Sequence, residues 1–470
     1  MSNYEEVIPE IVTQLRQIVG DQNVLYGDAD QLESYSHDET GSLYSAMPDV
    51  VVKPICAEEI SKIMKLANEK MVSVTPRGAG SGLAGGAVPL CGGIVLSCER
   101  MSKVIEIDKI NMVAVVEPGV VTNDLCNLVA EEGLFYAGYP MSVESSFVGG
   151  NVACNAGGAK VVKYGPTAAH VLGLEVVLPT GEIIEVGGKR RKDSSGYSLL
   201  RLLVGSEGTL GIFTKIYLNL VPEPGKVADL LIPFASVEDA IYTVPKIMTE
   251  SKVLPVAVEF IDRLSVRYCS EYTNSSLPYQ DKAAAYLIVQ LDGKTKEDLQ
   301  DTYEKAGNTC LENGALEVFV ADNTFASEKL WNMRRNWLEA LKVIDPYVST
   351  GDVVVPISEI PCMMKKIDEI SKAYGVQIPC AGHVADGNIH PAPMKPADTL
   401  PSEWKGLMEE ILGKIAITAG QLGGAVSGEH GIGFVKKELL SKTKSQEVEV
   451  MRRIKAAFDP NNILNPGKLF

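Results

Sequence analysis

Tyr139-Pro140-Met141-Ser142-Val143-Glu144-Ser145-Ser146-Phe147-Val148-Gly149-Gly150-Asn151-Val152-Ala153-Cys154-Asn155-Ala156-Gly157-Gly158 pairs glycines twice, carries two asparagines and has few apolar runs to build a helix or strand core. Backbone this poor in side-chain bulk lets the chain approach another group closely. The group it suggests is a large flat cofactor with a diphosphate. The plainer reading is a glycine-rich surface loop, and two flanking glycine-dense loops weigh against that.

The first of these is Thr75-Pro76-Arg77-Gly78-Ala79-Gly80-Ser81-Gly82-Leu83-Ala84-Gly85-Gly86. Successive N–H groups in such a loop can form a concave anion nest. Gly80 to Gly85 also matches G-x-G-x-x-G, but a Rossmann loop must open a helix. Here Pro89, Gly92 and Gly93 follow and lead to the strand-like Ile94-Val95-Leu96, so the Rossmann assignment fails. The second flanking loop is Gly205-Ser206-Glu207-Gly208-Thr209-Leu210-Gly211-Ile212.

Working outward, residues 4 to 19 place apolar side chains at helical spacing. Val50-Val51-Val52, a helix from Ala57 to Lys70 and Val72-Ser73-Val74 form a strand–helix–strand unit. Strands are expected near 103–108 and 112–117, with a helix from Thr122 to Glu132. A hairpin follows over 171–186, and then a strand from Thr214 to Val221. Pro222-Glu223-Pro224-Gly225 reads as a domain boundary. Beyond it, strands near 228–234, 256–261, 284–291 and 315–320 alternate with helices near 236–250, 296–313 and 326–343. That pattern suggests an antiparallel sheet covered by helices on one face.

The 470 residues exceed what one hydrophobic core organises, so two or three domains are expected. A net charge of −16 argues against a nucleic-acid partner or binding to anionic lipid through a basic face. No run of 18 apolar residues occurs, and the N-terminus lacks a basic-then-apolar leader; neither a membrane span nor a signal peptide is expected. The nine cysteines include no Cys-x-x-Cys, which disfavours a zinc knuckle or iron–sulfur cluster and suggests reduced thiols in a cytoplasmic protein.

Of five histidines, three lie between positions 383 and 430. In Gly382-His383-Val384-Ala385-Asp386-Gly387-Asn388-Ile389-His390, Asp386-Gly387 signals a two-residue type I′ turn. That turn pairs His383 with His390, with Cβ atoms about 5 Å apart. Both imidazoles could then bind one divalent metal. Glu429, in Ser427-Gly428-Glu429-His430-Gly431, offers a third ligand and leaves positions open for substrate oxygens. His430 would stand beside the metal and exchange a proton. Arg334 or Arg335, on a predicted helix, could clamp a carboxylate. The competing readings are a hydrogen-bonded pair of core histidines and an exposed helix arginine.

These segments, with Tyr35-Ser36-His37-Asp38 and the terminal Asn465-Pro466-Gly467-Lys468, resemble the vanillyl-alcohol-oxidase family of flavoproteins, in the branch of FAD-linked D-2-hydroxy acid dehydrogenases that act on D-lactate, glycolate and D-2-hydroxyglutarate. The resemblance implies an α+β fold with a two-part FAD-binding domain over 1–225. A cap domain over 226–425 would carry an antiparallel sheet covered by helices, and 426–470 would return to the FAD domain. Pro76, Arg77, Gly78, Ala79, Gly80, Ser81 and Gly82 would hold the diphosphate. Pro140, Ser142, Gly149, Gly150, Asn151, Ala153, Cys154, Gly157 and Gly158 would line the isoalloxazine and ribityl portions, with Gly208, Ile212 and Asn465 completing the set. The first loop has no histidine for covalent attachment, so non-covalent FAD is expected.

The resemblance also implies that His383, His390 and Glu429 bind a divalent metal (zinc, iron or manganese). His430 would be the catalytic base and Arg334 the substrate-carboxylate arginine. Relatives acting on 2-hydroxyglutarate carry a threonine and a lysine where this chain has Leu338 and Thr350, which favours D-lactate, then glycolate. With no second redox centre in the chain, electrons would pass to an electron-transferring flavoprotein, an iron–sulfur protein or a quinone, and any membrane attachment would be through a partner. The alternatives are a D-2-hydroxyglutarate dehydrogenase, a non-catalytic subunit of a redox complex, and an FAD enzyme acting on a sugar lactone or ether-lipid precursor.

Overall fold

The computed structural model describes residues 4–41 and 44–470. Met1 to Asn3, the start of the stretch read above for a leader, lie outside the described residues. The chain divides into two units: Met1–Gly157, Pro166–Glu223 and Glu429–Phe470 form the first, and Gly158–Gly165 with Pro224–Gly428 form the second. Among the described residues no helix is long and apolar enough to cross a membrane.

The first unit holds two main sheets. One has four strands in the order 24–26, 50–52, 94–97, 74–77; the last two pairings are parallel. The helix Ala57–Lys70 lays Ile60, Ile63, Met64 and Ala67 into its core at helical spacing. Met71, in the left-handed region, closes that helix. The opening helix starts at Pro9 rather than at residue 4, because proline, lacking an N–H, suits the first helical turn. The other sheet is antiparallel, in the order 104–108, 113–116, 212–219, 171–177, 183–187.

The central glycine stretch departs from its reading as backbone without a helix. Val148–Cys154 is a short helix because Val148 and Val152, four residues apart, are buried together in the second core. The C-terminal tail joins the first sheet: Val74 N–H donates to Ile463 O at 2.9 Å, and Asn465 N–H donates to Val74 O at 2.7 Å.

The second unit is built on one seven-stranded antiparallel sheet, in the order 319–321, 226–234, 285–293, 257–262, 380–383, 388–391, 353–354. The helix expected over 326–343 is two, Thr324–Arg335 and Trp337–Ile344. The break falls at Asn336, whose side-chain amide donates to Asn332 O at 2.8 Å, the local competition that weakens helices at asparagine.

Candidate functional site

In the first unit the glycine loops and the tail converge. Gly80 and Gly85 adopt φ of 77° and 73°. Among the described residues, no amide from Gly78 to Gly82 donates a backbone hydrogen bond. A run of undirected, half-buried N–H groups is the donor set a diphosphate requires, so the loop fits FAD. The Arg77 side chain is engaged by the protein itself. Its guanidinium donates to His37 O at 2.7 Å and Ser34 O at 3.2 Å, and a Cβ on Gly80 would run into it at 2.2 Å. It braces the loop from beneath.

Several glycines of the set are needed by the protein itself. A Cβ on Gly149 would lie 2.5 Å from the Pro118 Cβ, and one on Gly208 would lie 2.7 Å from the Pro76 Cγ. Gly150 faces open space. Asn151 donates to Thr122 Oγ1 at 2.8 Å, and Ala153 O accepts from Glu207 N–H at 2.8 Å, tying the central helix to the third glycine loop. The Ile212 side chain belongs to the core. Pro140 and Ser142 lie in the half-buried turn before the helix, and burial pushes the Cys154 thiol up to about 12. Asn465 donates to Glu207 O at 2.8 Å and Gly86 O at 3.1 Å, joining the first and third loops.

Glu207 is a hub that spacing did not reveal. It is buried, with φ of 50°, and its carboxylate accepts from Ile432 N–H at 2.7 Å and Gly433 N–H at 2.6 Å. Burial pushes its carboxyl above the ordinary value, and the two amides oppose that. It thereby holds the segment that carries Glu429 and His430, whose side chains approach to 3.5 Å. Gly157 leaves room for Glu429, since a Cβ there would lie 2.8 Å from the Glu429 side chain. Replacing Glu207 with glutamine turns one acceptor into a donor facing an N–H. The Glu207→Gln variant is expected to lose about 1–3 kcal/mol of stability and to exchange the Ile432 and Gly433 amides faster. Unchanged exchange at both would discard the anchoring role.

In the second unit the histidine hairpin has a different register from the expected one. Ala381, not His383, stands opposite His390, and the loop is Val384–Gly387. Pairing on both sides overrides the local turn preference: Val384 N–H donates to Val258 O at 3.2 Å, and Val355 N–H to Gly387 O at 3.1 Å. The shift is two residues, so both imidazoles keep the same face. Their ring centroids are 5.4 Å apart, edge to face, and a nitrogen from each lies within 4.8 Å of the other.

The surroundings suit a cation. His383 Nδ1 lies 2.6 Å from the fully buried Glu259 Oε1, directly opposite it in the ladder. His390 Nδ1 lies 3.9 Å from Asp352 Oδ1. Asp352 also accepts from Asn388 Nδ2 at 3.0 Å and Ser427 Oγ at 2.6 Å. An imidazole backed by a carboxylate, as His383 is by Glu259, is the usual outer shell of a metal site. The two arginines separate cleanly. Arg335 is exposed and pairs with Glu328, whereas Arg334 is buried and its Nε lies 2.8 Å from Glu259 Oε2. Arg334 Nη2 is buried and has no hydrogen-bond partner among the described residues. Glu259 and Asp352 escaped the sequence reading because nothing in their local pattern sets them apart from other strand and loop carboxylates.

Residues 223–469 match the model of the FAD linked oxidases, C-terminal domain, and residues 48–187 match an FAD binding domain. The chain is 39% identical to glycolate oxidase subunit GlcD of Bacillus subtilis, over 99% of this chain and 97% of that one. It is 37% identical to a D-lactate dehydrogenase of Anaerostipes hadrus, over 99% of this chain and 98% of that one. Among solved structures, p-cresol methylhydroxylase with substrate bound superposes with a TM-score of 0.80 at 20% identity, covering 98% of this chain and 96% of that one, a likeness of fold. With family matches along almost its whole length, the chain belongs to the FAD-linked oxidases and is an FAD-dependent dehydrogenase.

Proposed function

We propose that the protein oxidises a short D-2-hydroxy acid, D-lactate first and glycolate next, to the 2-oxo acid. The observation that carries this reading is the buried Glu259 carboxylate, which directs a histidine on one side and an arginine on the other. A site that pairs an imidazole ligand with a buried guanidinium suits a small molecule bearing both a hydroxyl and a carboxylate.

His383 and His390 would hold a divalent cation. Glu429 would complete the set, as the family resemblance implies. When bound, the cation would polarise the substrate hydroxyl. When bound, FAD, held without a covalent link, supplies the acceptor for the α-hydrogen as hydride. Arg334 pairs with the substrate carboxylate and sets which face of Cα is presented. His430 takes the hydroxyl proton. Electrons then leave to a partner: an electron-transferring flavoprotein, an iron–sulfur protein or a quinone.

Leu338 and Thr350 bring no charge to a second substrate carboxylate, which disfavours D-2-hydroxyglutarate. Anaerobic mixing of the holoenzyme with D-lactate, glycolate, L-lactate and D-2-hydroxyglutarate is expected to bleach the flavin fastest with D-lactate. Fastest bleaching by D-2-hydroxyglutarate would overturn the substrate assignment, and no bleaching by any of the four would overturn the reaction.

A further inference from the structure

We infer that Glu259 is a positioning residue that selects the metal-binding tautomer of His383 and, through its second oxygen, aims Arg334. This rests on the reading of His383 as a metal ligand and adds a residue that acts through it. Glu259 lies in the strand Ala257–Asp262, is 0% exposed and stands opposite His383 across the ladder. Its Oε1 is 2.6 Å from His383 Nδ1, and its Oε2 is 2.8 Å from Arg334 Nε. An ionised carboxylate only accepts hydrogen bonds, so Nδ1 must carry the imidazole proton. The other ring nitrogen, Nε2, then presents its lone pair to a cation.

The charge that makes this work would be unstable alone. A buried carboxylate needs a buried positive partner, and Arg334 is that partner. The pairing is an ion contact at Nε, 2.8 Å from Oε2 but without hydrogen-bond geometry, and Nη2 is likewise without a hydrogen-bond partner among the described residues. One carboxylate therefore orients the imidazole and the guanidinium together, and the two binding functions of the site are mechanically linked. A purely structural ion pair would bury Glu259 with Arg334 and have no reason to place its other oxygen on a metal-ligand histidine.

The test is a titration of chelator-stripped, FAD-loaded protein with Zn(II) against a chromophoric competitor, comparing wild type with Glu259→Gln. The expected result is binding about 10–100-fold weaker in the variant, with flavin content unchanged. A wild type that takes up no zinc would overturn the metal reading itself. A wild type that binds zinc and a variant that binds it as tightly would overturn only the role of Glu259. A second measurement does not depend on the variant folding: nitrogen NMR of metal-free wild type labelled at histidine, with His383 assigned by its loss in His383→Gln. The proton is expected on Nδ1, and a proton found on Nε2 would overturn the inference.

Discussion

A His430→Asn variant mixed anaerobically with D-lactate is expected to reduce its flavin about 10²–10⁴-fold more slowly than wild type. That range corresponds to a barrier higher by about 3–5 kcal/mol. Asparagine keeps much of the volume and the hydrogen-bonding capacity of histidine but cannot accept the hydroxyl proton. The segment should otherwise stand, because Glu207 holds it through the backbone amides of Ile432 and Gly433, which the substitution does not touch. FAD content and the visible spectrum should therefore match wild type. Near-normal reduction would remove His430 from the chemistry and leave the base to be found elsewhere.

The contrast between what was and was not legible follows from range. The helix over Ala57–Lys70 could be read from its own apolar period, and so could the strands at 50–52 and 94–97, because each pattern is local. The failure of the Rossmann pattern was legible for the same reason: a proline and paired glycines follow the loop at once. The hairpin register was not, since Val258, in a neighbouring strand, and Val355, just past another, decide it. His383 and Glu259 are 124 positions apart, and no local pattern announces a partner at that distance. The glycines show a subtler limit. Gly149 looked like room for a cofactor, yet the space is taken by Pro118, so poverty of bulk signals close approach without naming what approaches.

The residues alone did not choose between Arg334 and Arg335; only the family resemblance named Arg334. Adjacent residues on a helix point about 100° apart, and only packing tells which one faces inward. Burial picks Arg334, with Glu259 as its partner. The sequence supplies candidate donors and acceptors, and long-range pairing selects among them.

The largest stability loss is expected at Lys455, outside the chemistry. Its ammonium is buried and uses all three donors: Thr209 O at 2.8 Å, Leu464 O at 2.7 Å and the Asp459 carboxylate. Burial pulls its pKa down, and Asp459 opposes that. Thr209 follows Gly208 and Leu464 precedes Asn465, so this one cation clamps the third glycine loop to the C-terminal tail. Lys455→Met fills similar volume but strands a buried carboxylate and two carbonyls. The expected cost is about 3–5 kcal/mol, read in urea unfolding, with faster FAD release on dilution. Asp459 also accepts from Ile463 N–H at 3.0 Å and Leu464 N–H at 2.8 Å, so its side chain cannot simply turn to water. Adding Asp459→Asn to the Lys455→Met variant removes the stranded charge but keeps an acceptor for only one of those two amides. The double variant should therefore recover the part of the loss due to the unpaired charge and keep the part due to the unsatisfied amide. A single variant that unfolds with the wild type would show that the Lys455 clamp does not hold the tail.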